Sequence, residues 1–166
     1  MAEGGEEGEV SYVLDASAIG AILERMKDKG LIYLKGPFIL DLTLYELGNI
    51  IWKACSLRRV ISEEEALEGA KDLAKVLELA SRVQLKGGDV EEVMRLAPRL
   101  GLTFYDASYL YLAKSKDYVL VTEDEDLLRQ AATAGVRAIR VESTSRSVSL
   151  NSFKGYTVPR FPESKP

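Results

Sequence analysis

The sequence predicts an α/β protein with a central parallel sheet of about five strands and helices on both faces. Short apolar, β-branched runs alternate with longer segments whose apolar residues recur at helical spacing. The runs are too uniformly apolar to leave one face in water, which marks parallel strands buried on both sides. Acidic residues stand where these runs give way to helices, the edge at which open α/β sheets bind ligands. With 166 residues, the chain suits one domain with a real core.

Residues 1–9 are rich in Gly and Glu and read as a disordered acidic leader. A first strand (Val10, Tyr12, Val13, Leu14) ends at Asp15. It is followed by a helix with Ile19, Ile22, Leu23 and Met26 on one face, stopping at Gly30. Leu31 to Leu34 is a short apolar piece before the turn Gly36-Pro37, and Phe38 to Leu42 is a second strand. Thr43 opens a helix carrying Leu44, Leu47, Ile50, Ile51, Ala54 and Leu57. Ser62-Glu63-Glu64-Glu65 is a capping box that starts the next helix, whose apolar stripe runs from Ala66 to Leu77.

Arg82 to Leu85 reads as a third strand, ended by Gly87-Gly88, and Asp89 with Glu92 caps a helix finishing near Pro98 to Gly101. Thr103 introduces a strongly apolar helix with Tyr105, Tyr109 and Tyr111. Tyr118 to Val121 is a buried-type strand, Thr122 to Ala134 a helix closed by Gly135, and Val136 to Val141 the last strand. From Ser143 the composition turns to Ser, Pro and charge. The expected organisation is therefore a leader (1–9), one α/β domain (10–142) and a polar, basic tail (143–166).

Composition removes several chemistries. There is no histidine, which excludes imidazole catalysis and His-bearing zinc sites. The single cysteine, Cys55, cannot form an internal disulfide and is expected to pack in a helix; a reducing cytoplasm fits. No apolar run approaches the roughly 18 residues that cross a bilayer. The net charge of −4 does not announce a nucleic-acid binder, so phosphate binding would need local bases or bound cations.

Four carboxylates stand at helix starts: Asp15, Glu46, Asp106 and Asp124. Parallel strands would gather them at one edge of the sheet, and hard oxygen ligands so gathered suit Mg²⁺ or Mn²⁺. Each also has a plain reading as a helix cap, since Thr43-x-x-Glu46, Thr103-x-x-Asp106 and Thr122-x-x-Glu125 resemble capping boxes. Against that, Tyr45-Glu46-Leu47 and Tyr105-Asp106-Ala107 lie in apolar helices, where a buried carboxylate needs a cation or a donor.

The segments V-L-D-A-S-A-I, L-Y-E-L-G-N-I-I-W-K, F-Y-D-A-S-Y-L-Y-L-A and L-V-T-E-D-E-D-L-L resemble, in order, the motifs of the PIN-domain family of metal-dependent ribonucleases. The likeness is strongest to the VapC-type toxins of archaea and bacteria, and it covers residues 11–142. It implies a three-layer α/β/α sandwich and a Mg²⁺- or Mn²⁺-dependent endoribonuclease in which Asp15, Glu46, Asp106 and Asp124 hold the metal. Thr122 and Ser17 match the family's supporting hydroxyls and Asn49 its supporting asparagine. Glu123 and Asp126, beside Glu125, are possible additional acids at the crowded last motif. The resemblance further implies a homodimer, an RNA substrate and a small antitoxin partner.

Weaker signals have two readings each. Lys53, Arg58 and Arg59 suit a solvated helix end or RNA phosphates; Tyr105, Tyr109 and Tyr111 suit core packing or base stacking. Competing functions are a non-catalytic PIN-like RNA- or protein-binding module and a metal-dependent phosphatase. An aspartyl-nucleophile phosphatase wants a second acid two residues after the first, where this chain has Ser17. No glycine-rich nucleotide-binding signature is present.

Overall fold

A computed structural model describes residues 10–141; the expected leader and tail lie outside them. Its elements are β1 (Tyr12–Leu14), α1 (Ala16–Met26), β2 (Phe38–Leu40), α2 (Leu42–Trp52), α3 (Glu63–Leu77), β3 (Ser81–Val83), α4 (Gly87–Leu100), α5 (Phe104–Lys116), β4 (Val119–Val121), α6 (Glu125–Thr133) and β5 (Ala138–Ile139). The strands form one wholly parallel sheet in the order β3-β2-β1-β4-β5.

The two-residue period of the strands divides the core into two layers. Leu14, Ile39 and Val121 face one side and pack with α1, α2 and α3 through Ile19, Ile22, Leu47, Leu73 and Leu77. Val13, Leu40 and Leu120 face the other, against α5 and α6 through Tyr109, Leu110, Leu112, Leu127 and Ala131. The register confirms the pairing of faces, with Val13 beside Leu120 and Leu14 beside Val121. This is the α/β/α sandwich expected from the sequence.

Several local expectations are corrected. The first helix ends at Met26, and Lys27–Leu34 continues as a 3₁₀ helix rather than running to Gly30 as one α-helix. A side chain on Gly30 would meet Ile22 at 2.7 Å, so this glycine allows a close approach rather than stopping the helix. The second helix starts at Leu42, with Asp41 as its cap, so Thr43 lies inside it and Thr43-x-x-Glu46 is not a capping box. Asp124, not Thr122, caps α6. Asp89 sits three residues inside α4 and accepts from the Lys86 N–H at 2.9 Å. The strands are shorter than the apolar runs, β5 being two residues long. Beyond α2 a π-helical turn, Lys53–Leu57, carries Cys55, which is half-buried rather than sealed in the core.

The strand order fixes where a site can form. From β1 the chain crosses outward to β2, and from β4 it crosses the opposite way to β5. The carboxyl ends of adjacent β1 and β4 therefore flank the switch point of the sheet, where connections part and leave a crevice. Asp15 is the residue after β1 and Thr122 the residue after β4.

Candidate active site

Asp15 stands at that crevice and is only 5% exposed. As the cap of α1, one of its oxygens accepts from the Ala18 N–H at 2.8 Å and from the Ser17 hydroxyl at 2.7 Å. Its other oxygen accepts from the Thr122 hydroxyl. The two hydroxyls are themselves held by backbone: Glu123 N–H donates to Ser17 Oγ at 2.9 Å and Asp124 N–H to Thr122 Oγ1 at 3.0 Å. Burial pushes the Asp15 pKa upward, the hydrogen bonds from Thr122, Ser17 and Ala18 oppose it, and the Asp106 charge adds to the rise.

Glu46 and Asp106 come to the same region from two helices. Glu46, in the second turn of α2, accepts from the Tyr109 hydroxyl at 2.6 Å. Its pKa is raised, first by partial burial and then by the charges of Asp15 and Asp106, while the Tyr109 bond lowers it. Asp106 lies in the first turn of α5, which Thr103 does cap: Asp106 N–H donates to the Thr103 hydroxyl at 3.1 Å, and that hydroxyl donates to the Asp106 carboxylate at 2.6 Å. The neighbouring tyrosines correct the expectation that both acids lie in wholly apolar surroundings. Tyr45 is 70% and Tyr105 58% exposed, so Glu46 and Asp106 sit at a rim.

Asp15, Glu46 and Asp106 thus form one electrostatically coupled group. Asp124 is exposed and caps α6, accepting from Leu127 N–H at 2.7 Å. Glu123 accepts from Arg25 at 3.0 Å and from Val141 N–H at 3.0 Å, with Arg140 3.8 Å away. Glu125 pairs with Arg140 and the exposed Asp126 with Arg129. Asn49 is exposed, and among the described residues its side chain makes no hydrogen bond. Two side chains of this region carry roles the sequence did not suggest. Thr43 and Tyr109 are both buried and share a hydrogen bond of 2.8 Å beneath Glu46.

Among the described residues no group of three or more acids is arranged, as the side chains stand, to hold a metal ion. Glu46 leans on Tyr109, and Asp106 on its own cap. The donor set nevertheless fits a hard divalent cation. Its members are carboxylate oxygens, the Asp106 charge adds to the raised pKa of Asp15 and Glu46, and the hydrogen bonds to all three come from hydroxyls and backbone N–H groups that leave their charge intact.

Comparison with known proteins follows the same lines. The PIN domain family matches residues 12–133. A protein named exonuclease VapC9 from Pyrobaculum aerophilum is 43% identical over 134 residues, covering 81% of this chain and 92% of the relative. One named ribonuclease VapC3, from the same organism, is 32% identical over 126 residues, covering 71% and 92%. The crystal structure of PAE2754 from Pyrobaculum aerophilum superposes with a TM-score of 0.65 at 40% identity, covering 81% of this chain and 93% of that one. That of FitAcB from Neisseria gonorrhoeae shares the fold at 15% identity, with a TM-score of 0.55 and coverage of 77% and 96%.

Proposed function

The chain belongs to the PIN-domain family, in its VapC-type branch, and from that premise we propose that it is a Mg²⁺- or Mn²⁺-dependent endoribonuclease. The observation that carries the reading is the coupled group of Asp15, Glu46 and Asp106 at the switch point of the sheet, oriented by neutral donors. Asp15 and Asp106 are the first choices as ligands, with Glu46 binding directly or through water and Asp124 completing the site. A bound cation would neutralise phosphate charge, lower the pKa of a hydrolytic water and stabilise the leaving oxygen.

The residues themselves do the positioning. Thr122 and Ser17 fix both oxygens of Asp15 before any ligand arrives, so little side-chain freedom is lost on binding. Glu123 ties the loop after β4 to α1 through Arg25, and these contacts support a bracing role for it. An acidic protein needs local bases to hold an RNA backbone. A cavity of about 830 Å³ at the end of α1 offers Lys27 and Lys29, beside Arg25, Asp28 and Tyr33.

In keeping with the VapC names of these relatives, we propose that it is the toxin of a toxin–antitoxin pair, with a small antitoxin as partner and a homodimer as the active form. Exposed Ile50, Trp52, Leu57, Val60 and Leu67, on α2, α3 and the turn between them, offer apolar surface for such contacts. Among the described residues no helix is long and apolar enough to cross a membrane, which suits the proposed cytoplasmic setting.

The test is cleavage of linear and circular RNA with Mg²⁺, Mn²⁺ or EDTA. Cleavage of circular RNA that requires metal supports the reading. Metal-dependent cleavage of linear RNA alone converts it to an end-dependent nuclease, in keeping with the exonuclease name of one relative. Cleavage unaffected by EDTA removes the metal from it.

A further inference from the structure

We propose that Tyr109 is a positioning residue for Glu46, holding its carboxylate in place for a divalent cation through a hydroxyl relay anchored on Thr43. The inference rests on the reading of the acidic site above. Tyr109 is 1% exposed and lies in the core cluster with Val13, Leu110 and Leu120, three residues after Asp106 on α5. Thr43 and Glu46 are likewise three residues apart on α2. At that spacing both residues of each pair lie on one helix face. The single Tyr109 hydroxyl therefore joins the helix that carries Glu46 to the helix that carries Asp106.

Counting protons fixes the direction of the relay. Tyr109 has one proton, which it donates to Glu46 Oε2 at 2.6 Å, because an ionised carboxylate can only accept. The 2.8 Å contact with Thr43 must then run from the threonine hydroxyl to the tyrosine oxygen. The relay ties down one Glu46 oxygen and leaves Oε1 for a ligand. It also restrains a flexible side chain in advance, which removes an ordering cost from cation binding. A lysine or arginine in place of Tyr109 would orient Glu46 equally well but cancel the charge that a cation seeks.

Tyr109 also fills core volume, so the test must separate packing from positioning. Mn²⁺ affinity is measured calorimetrically for wild type, Tyr109→Phe, Glu46→Ala and the double variant, with melting temperatures recorded for each. Tyr109→Phe keeps the ring and removes the hydroxyl, and it is expected to weaken Mn²⁺ binding about tenfold, as loss of a ligand's hydrogen-bond partner does elsewhere. In the Glu46→Ala background it should add no further loss. Thr43→Val, which keeps the Tyr109–Glu46 bond, should weaken binding less than Tyr109→Phe does.

Equal losses in both backgrounds would make Tyr109 merely structural and overturn the proposal. So would unchanged affinity in Tyr109→Phe beside a wild type that binds. An unchanged affinity in Thr43→Val would overturn the anchoring on Thr43. A wild type that binds no Mn²⁺ would instead sink the reading of the whole site, and this inference with it.

Discussion

The Thr122 hydroxyl at the end of β4 donates to the Asp15 carboxylate at the end of β1, joining the two strands across the point where the sheet's connections diverge. Both side chains are buried, and Thr122 also accepts from Asp124 N–H. Thr122→Val leaves Asp15, which is buried, short of a bond. A loss of about 1–3 kcal/mol in unfolding free energy is expected by denaturant titration. Thr122→Ser keeps the donor and should recover most of it.

Asp15 and Glu46 ionise less readily in the folded chain than in the unfolded one, chiefly because of burial. Their contribution to stability is therefore fully present below their ordinary pKa values of 3.8 and 4.5, and is lost as pH rises through the folded values. Glu65 and Asp89 are shifted the opposite way by hydrogen bonds at helix starts, so they contribute stability above their ordinary values and lose it as pH falls. Those two are common to wild type and Asp15→Asn and cancel in the difference. In EDTA, the stability of wild type relative to Asp15→Asn should fall as pH is raised from about 4 to about 8. Saturating Mn²⁺ should reverse that trend in wild type only, because a ligand of the folded state stabilises it.

Glu123 separates bracing from ligation. Its side chain is 18% exposed and meets Arg25, Arg140 and Val141 N–H. Glu123→Ala should cost about 1–2 kcal/mol of stability while retaining measurable cleavage, whereas Asp106→Asn should abolish cleavage with little effect on the melt. Assayed side by side, the two variants should fail in opposite respects.

Lys27 and Lys29 line the basic cavity at the end of α1. If both meet phosphates, changing them to alanine should weaken RNA binding for all sequences alike. It should also flatten the dependence of log K on log salt by about 1.4, from a slope of roughly 0.7 per phosphate contact on single strands. An unchanged slope would place the RNA path elsewhere.

Much of the fold could be read from the sequence because the three central strands are buried on both faces and therefore nearly continuous in apolar residues. Val13-Leu14, Ile39-Leu40 and Val119 to Val121 all lie at the centre of the sheet. Asp15 was legible for the same reason, as a charge ending such a run. Capping was harder to read, because Asp, Thr and Ser serve interchangeably at helix starts. Thr43 and Thr122 match the pattern of caps in sequence, yet their hydroxyls turn inward to Tyr109 and Asp15 while Asp41 and Asp124 do the capping. The Tyr109–Glu46 bond joins residues 63 positions apart, which no local pattern reveals. The crowded acids at 123–126 look alike in sequence, because Glu123 and Glu125 meet their partners Arg25 and Arg140 only in space.

The most direct test of the central claim is a crystal of the protein soaked in Mn²⁺ and examined for anomalous scattering. One manganese peak bound by Asp15 and Asp106, with Glu46 bound directly or through water, is the predicted result. Its disappearance in crystals of Asp15→Asn would tie it to that carboxylate. Well-diffracting, fully soaked crystals with no manganese at these acids would contradict the account, and would leave Asp15 as the cap of α1 and Asp106 as the partner of the Thr103 cap.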